Sequence, residues 1–213
     1  RHAICDFGRS RMTGIRLGLA GLYLALALPA IFRYSPTADE PAHLVAGAGH
    51  LLKGDFTLEP VNPPLARLWA CLPYLALRPD LPLTSVHWRE RHPGAAGLEF
   101  LYRNRIPWRT LVIWPRVMTA LLGAALVWWI AGWAETRAGR TGGVIAGALA
   151  ATCPNLLGNG GLATTDLAAA ASALLAGWAW TAWLERPTLR RAGLVGVAIG
   201  AALVTKYANL ALL

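Results

Sequence analysis

Long apolar stretches alternate along the chain with shorter polar and basic segments. A helix needs about 20 mainly apolar residues to cross the hydrocarbon core of a bilayer. Five stretches reach or approach this length: residues 17–32, 117–134, 142–157, 167–184 and 192–213, the last of which contains Lys206. We therefore expect an all-α integral membrane protein in which these stretches pack as a polytopic helical bundle.

The longest polar segment, residues 33–109, lies between the first and second apolar stretches. Within it, apolar positions recur at helical spacing over residues 40–53, and Gly54 follows as a residue that ends helices. A second short helix is expected over residues 65–77, lying in the membrane interface because its apolar body is flanked by arginines. Residues 79–108 are rich in proline and charge, so we expect irregular structure there.

The distribution of basic residues predicts how the chain crosses the membrane, because short loops rich in lysine and arginine remain in the cytoplasm. Nine arginines lie before the first stretch, between the second and third, and after the fourth, whereas the short segment 158–165 is uncharged. This asymmetry predicts a cytoplasmic N-terminus and makes residues 33–109 the first extracytoplasmic loop. A cleaved signal peptide ending near residues 26–30 is the alternative, and an uncleaved first helix is favoured.

The composition supports the membrane assignment and limits the partners. Hydrophobic residues make up 55% of the chain and charged residues only 15%, less charge than soluble domains carry. The net charge of +9 does not indicate nucleic-acid binding, because the basic residues are spread over the segments between apolar stretches. Anionic and phosphate-bearing lipids are the expected partners instead. The three cysteines form no CxxC pair, so we expect neither a disulfide framework nor a thiolate zinc site.

The ends of the chain suggest a larger protein. The sequence begins with Arg1 and stops inside an apolar stretch. We therefore expect residues 1–213 to form a single membrane domain that is the N-terminal part of a longer module.

Acidic side chains occur at two points on the expected outer face. Asp39 and Glu40 stand at the start of the helix predicted over residues 40–53, and Asp166 directly precedes the apolar stretch 167–184. Carboxylates at such positions are costly unless they are used or paired, which favours a functional role. Alternatively, Asp166 caps the following helix, and its spacing does not decide between these interpretations.

Two other side chains allow both a structural and a functional interpretation. Lys206 either extends to the membrane interface or holds a phosphate, and the residues alone favour the first. Glu40 and His43 form a Glu-x-x-His pair that a divalent metal could use. The pair alone is a weak signal, so a metal site is not supported.

Several short motifs occur in a recognisable order. They are Asp39-Glu40-Pro41-Ala42-His43, Lys53-Gly54-Asp55-Phe56, Asn62-Pro63-Pro64-Leu65, Pro154-Asn155-Leu156-Leu157, Thr164-Thr165-Asp166-Leu167 and Thr205-Lys206-Tyr207. This ordered set, which spans nearly the whole chain, resembles bacterial members of the protein O-mannosyltransferase-like group, glycosyltransferase family 39. One departure is that the family often has His-Pro-Pro followed by lysine, where this chain has Asn62 and, further on, Arg67.

The resemblance implies a GT-C fold in a bacterial inner membrane, with the active site facing the periplasm or exterior. It implies a polyprenyl-phosphate sugar as donor, no other firmly expected cofactor, and a protein, lipid or glycan as acceptor. Asp39 would take the proton of the acceptor hydroxyl, and cations would stabilise the departing lipid phosphate. The catalytic candidates are Asp39, Asp166 and Glu40, and the substrate-binding candidates are Lys206, Arg67, Arg103, Arg105 and His43.

The competing interpretation is a membrane protein without catalytic activity, such as a transporter or a lipid-binding scaffold. Transporters usually carry charges near the bilayer midplane, between broken helices of repeated halves. In this sequence the acidic residues lie at one expected face and no convincing repeat is present. The glycosyltransferase interpretation is therefore preferred.

Overall fold

A computed structural model describes residues 2–212, with side chains for residues 12–211. Within that range the chain is helical and contains no strand. The α-helices are α1 (His2–Arg33), α2 (Glu40–Lys53), α3 (Leu65–Ala70), α4 (Tyr74–Leu77), α5 (Val86–Arg89), α6 (Pro93–Tyr102), α7 (Trp108–Ala151), α8 (Pro154–Gly160), α9 (Asp166–Glu185) and α10 (Leu189–Leu203), followed by a 3-10 helix at Tyr207–Leu212.

Three helices in the described part of the chain are long and apolar enough to cross a membrane. They are Met12–Arg33 of α1, Trp108–Ala151 and Asp166–Glu185. Only a minority of the residues in these stretches is buried within the protein, and large apolar side chains such as Leu17 and Phe32 are exposed. Apolar surface on this scale calls for lipid around it. The expectation of an all-helical protein of the membrane type is therefore confirmed.

The chain forms two compact units. Unit 1 comprises Arg1–Tyr34 with Ala120–Gly161, and unit 2 comprises Ser35–Thr119 with Leu162–Leu213.

Helix α7 is interrupted in unit 1, where the chain reverses direction. Ala138 and Gly139 have non-helical backbone angles, and Gly139 has a φ of 68°, which suits glycine. Beyond this break, Gly143 and Gly147 lie so close to Ala131 that a Cβ at either position would approach it to 2.8 Å. The two arms of α7 therefore pack antiparallel, and the reversal falls between the predicted stretches 117–134 and 142–157.

Tyr23 is the central side chain of unit 1. It is fully buried, and its hydroxyl donates a hydrogen bond to the carbonyl of Leu156 at 2.9 Å. Gly123 and Gly160 both lie against its ring and hydroxyl, leaving no space for a Cβ at either position. Glycine is therefore required where α7 and α8 approach this tyrosine.

Helix α2 lies at the core of unit 2. It has the predicted bounds, ending at Gly54 in the left-handed conformation with a φ of 64°. Its apolar residues Leu44, Val45 and Ala48 are completely buried. The helix packs closely against α6 at Gly97, where a Cβ would collide with the backbone of Pro41.

Tyr74 supplies a hydrogen-bond donor that the backbone of α7 lacks. Pro115 has no N–H, so the carbonyl of Leu111, four residues earlier, has no helical donor. The buried Tyr74 hydroxyl donates to that carbonyl at 2.6 Å. This bond ties α4 to the first turns of α7 within unit 2.

Three details of the predicted elements were wrong. The helix expected over 65–77 is two short helices, α3 and α4, separated by a turn at Cys71–Pro73. The segment 79–108 contains α5 and α6, because apolar residues such as Phe100 and Leu101 join the core. The stretches 142–157 and 192–213 are not continuous helices, since α7 ends at Ala151 before Pro154 and α10 ends at Leu203.

Candidate functional site

Glu40, the first residue of α2, is anchored by a network within unit 2. Its carboxylate is fully buried and accepts hydrogen bonds from Arg116 Nε at 2.7 Å and Nη2 at 2.6 Å. The backbone N–H of Ala163 donates to the same carboxylate at 2.9 Å, and that of Thr37 at 2.8 Å. Arg116 also donates to the Ser35 carbonyl at 3.0 Å. Glu40 thus joins α2, α7 and the segment before α9.

The surroundings of Glu40 keep it ionised. Burial raises the pKa of this carboxyl, but the hydrogen bonds from Arg116, Ala163 and Thr37 together with the charge of Arg116 outweigh it, so that the pKa lies below its ordinary value. The paired and enclosed position of Glu40 indicates that it holds the local structure together. Its predicted catalytic role stays a prediction.

A cavity of about 250 Å³ opens beside the start of α2. It brings together four of the candidates from the sequence, Asp39, His43, Asp166 and Lys206. The other lining residues are Ala42, Glu59, Asn62, Pro93, Thr164 and Thr165. Ligand pockets typically measure about 300–1,000 Å³, so this cavity has room for only a part of a ligand of ordinary size.

Asp39 contributes an exposed carboxylate to the cavity. It occupies the N-cap position of α2, but its side chain does not cap the helix. Within the described residues, the Asp39 side chain has no hydrogen bond or ion pair. The carboxylate is therefore available to a ligand.

Asp166 and Lys206 form an ion pair at the cavity. Asp166 is the first residue of α9, and Thr165 holds the N-cap position, so Asp166 does not cap the helix in the way considered from the sequence. The N–H of Leu65, at the start of α3, donates to the carbonyl of Val204 at 3.1 Å. This bond fixes the segment that carries Lys206.

Arg67 lies behind the cavity wall. It is 2% exposed and forms an ion pair with Glu59, with 2.5 Å between Nη1 and Oε2. It also donates to the backbone carbonyls of Glu59 and Asn62. Arg67 therefore shapes the turn that presents Glu59 and Asn62 to the cavity and does not itself line it.

Arg103 and Arg105 are on exposed surface and do not line the cavity. Arg103 lies 3.8 Å from Glu99, and Arg105 lies 3.2 Å from Asp80. Exposed pairs of this kind contribute little to stability. The structure does not bring these two arginines to the other candidates, so their predicted role in binding substrate has no geometric support.

His43 lines the cavity and also a narrow enclosed space next to it. Its Nδ1 is buried without a hydrogen-bond partner, as are Arg67 Nε and Thr164 Oγ1, and all three residues line the enclosed space. Burial is the main cause of the lowered pKa of His43, and the charge of Arg67 lowers it further. The negative charges of Glu59, Asp39 and Asp166 raise this pKa, but by less. The imidazole is thus neutral at neutral pH.

Sequence reasoning missed Glu59, Asn62 and Arg116. Arg116 could have been identified from the sequence, because a charged residue between apolar stretches and next to Pro115 needs a partner. Its partner, Glu40, is 76 positions away in the sequence. A local sequence pattern cannot predict a pairing between residues so far apart. Glu59 was missed because it occurs in a polar loop without a distinctive motif. Asn62 belongs to one of the motifs quoted above, but it was not counted among the candidate site residues.

Within the described residues, no group of three or more His, Cys, Asp or Glu side chains is arranged to hold a metal ion. Comparisons with protein-family models, with curated proteins and with solved structures found no match for this chain.

Proposed function

We propose that this protein is a membrane glycosyltransferase that moves a sugar from a polyprenyl-phosphate donor to an acceptor hydroxyl. One observation carries the proposal: a single cavity contains the carboxylate of Asp39, which has no ion pair among the described residues, next to the ion pair of Asp166 and Lys206. The motif resemblance described above supports the same conclusion independently.

The chemistry of sugar transfer explains why these groups would be together. The acceptor oxygen forms a bond to the anomeric carbon as the bond between that carbon and the phosphate oxygen breaks. Asp39 takes the hydroxyl proton, and the electron pair leaves with the lipid phosphate. Lys206 stabilises the negative charge that develops on this phosphate, and Asp166 holds the lysine in place.

The proposal includes a location and an orientation. The three candidate membrane helices support a location in a membrane, which we propose to be the bacterial inner membrane, with the cavity open to the periplasm or exterior. A polyprenyl-phosphate donor would be presented there by the lipid bilayer itself. The acceptor is a hydroxyl of a protein, a lipid or a glycan.

The test is a transfer assay on the full-length protein in membranes, with a panel of radiolabelled polyprenyl-phosphate sugars. We expect the wild type to transfer label from at least one donor and Asp39→Asn to lose this activity about 100-fold or more, as for a missing general base. Asp80→Asn is the matched control, because Asp80 is exposed, 61%, and does not line the cavity. It should keep wild-type activity.

Two results would overturn the proposal. If the wild type consumes no donor in the panel, the transporter or scaffold interpretation takes its place. If Asp39→Asn transfers sugar as fast as wild type at equal expression, then Asp39 is not the base.

A further inference from the structure

Asp39 and His43 are adjacent on the surface of α2. The N–H of His43 donates to the carbonyl of Asp39 at 3.1 Å, which is the hydrogen bond of one helical turn. Residues four apart in a helix lie on the same face, and both side chains line the cavity. A ligand hydroxyl that contacts Asp39 therefore also lies close to His43.

The other charged groups of the cavity already have partners. Glu59 is paired with Arg67, and Asp166 with Lys206. In the described part of the chain, the side chain of His43 forms no hydrogen bond or ion pair, and its Nε2, unlike Nδ1, is not among the buried atoms. The imidazole is thus a neutral polar group that remains available in the cavity.

The two ring nitrogens of His43 have different surroundings. Nδ1 is the buried one, so we place it towards the enclosed space, which is also lined by the positively charged Arg67. That space has no room for a water molecule. A lone pair on Nδ1 suits a positive neighbour, whereas a buried N–H without an acceptor would be costly. The proton therefore belongs on Nε2, because the environment of one ring nitrogen sets the state of the other.

We propose that neutral His43 binds the substrate by donating a hydrogen bond from Nε2–H to a sugar or acceptor oxygen, which holds the reacting hydroxyl beside Asp39. The inference rests on the proposed function and adds a substrate-binding group to it. The charged groups that surround the imidazole are Asp39, Glu59, Arg67, Asp166 and Lys206. Burial of the ring and, after it, the charge of Arg67 oppose protonation, and together they keep the ring in the form that this hydrogen bond requires.

Two substitutions separate a donor at Nε2 from other roles of this side chain. The amide N–H of glutamine reaches the position of Nε2, whereas that of asparagine reaches only the position of Nδ1. We expect His43→Asn to raise KM roughly 5- to 10-fold with little change in kcat, the loss of one neutral hydrogen bond. His43→Gln should remain close to wild type. His87→Gln is the control, since His87 does not line the cavity.

A second measurement does not depend on activity. In wild-type protein labelled with ¹⁵N-histidine, the imidazole shifts distinguish the two neutral tautomers, and comparison with His43→Gln assigns the signal. We expect the Nε2–H tautomer near neutral pH. A proton on Nδ1, or a charged ring, would overturn the proposal.

The kinetic outcomes separate this inference from the proposed function. If the wild type transfers sugar and both His43 variants match it, or both lose activity equally, His43 does not donate from Nε2 and the proposed function stands. If the wild type transfers nothing, the proposed function fails and this inference fails with it.

Discussion

Replacement of Glu40 by glutamine tests the anchor beneath the candidate site. The substitution keeps the size of the side chain and removes its charge. Five donors converge on this carboxylate: Arg116 Nε and Nη2, the N–H groups of Ala163 and Thr37, and the Thr37 hydroxyl. An amide can accept at one oxygen only, so the donors at the other position lose their acceptor and meet an NH₂ group.

The expected cost follows from the burial of the partner. Arg116 is 1% exposed, so Glu40→Gln removes the carboxylate that balances a buried charge, which costs about 3–5 kcal/mol. Separate values for the five hydrogen bonds do not add to this figure, because they share one carboxylate. When Arg116→Met is combined with Glu40→Gln, both charges disappear, and the double variant should be more stable than the sum of the two single losses predicts.

The assay is equilibrium unfolding of the purified protein in detergent, followed by circular dichroism. Glu90→Gln is the control, since Glu90 is 62% exposed, and its effect should stay within about 0.5 kcal/mol. The pKa of Glu40 lies below its ordinary value of 4.5, so its contribution is fully present above pH 4.5 and disappears as pH falls through the folded-state pKa. The difference between wild type and Glu40→Gln should shrink accordingly on acidification. A loss below about 1 kcal/mol, or strictly additive single effects, would refute the reasoning.

Three further substitutions test the packing of unit 2. Gly97→Ala should lower both stability and sugar transfer, because a Cβ there collides with the first turn of α2, whereas Gly94→Ala on the same helix meets nothing within 4 Å and should be tolerated; thermal unfolding and the transfer assay compare them. Tyr74→Phe should cost about 1–3 kcal/mol in the same unfolding assay, since the carbonyl of Leu111 would lose its donor. Burial lowers the pKa of His50 to about 4, so wild type should lose on the order of 3 kcal/mol as pH falls from 6.5 to 4, and His50→Leu should lack this loss.

A different outcome would contradict each of these three predictions. Equal effects of the two glycine substitutions would show that the close approach at Gly97 does not matter. An unchanged Tyr74→Phe would mean that the Leu111 carbonyl finds another donor. If His50→Leu keeps the acid dependence of wild type, other groups are responsible for it.

The parts of the fold that the sequence predicted best are those with local signals. Helix α2 begins and ends where the sequence places it, because a proline near its start and a glycine after its end act over a few residues. Helix α6 was missed, since its sequence has the proline and glycine of a loop and its formation depends on packing against α2. The local sequence there favours a loop, and tertiary contacts produce a helix instead.

The candidate site was predictable in part for a similar reason. The convergence of Asp39 and Asp166 followed from the expected topology, which put both at one face. The internal pairing of Arg67 with Glu59 did not follow, because a loop sequence does not show which of its charges will be buried together. The sequence predicts that Arg67 binds a phosphate. In the structure it is buried, and it stabilises the turn that forms the cavity wall.

Occupancy of the cavity by the donor is the central claim, and thiol protection measures it most directly. Ala42 lines the cavity and is half-buried, so Ala42→Cys places a reporter there in a protein whose three native cysteines are replaced by alanine. Ala95→Cys, equally half-buried but not in the cavity lining, is the control. Both are treated in intact cells with a membrane-impermeant maleimide.

We predict that the reagent labels Ala42→Cys from outside and that the donor identified in the transfer assay slows this labelling while leaving Ala95→Cys unaffected. Labelling of Ala42→Cys at the same rate with saturating donor would contradict the account, because the cavity would then not be the donor site.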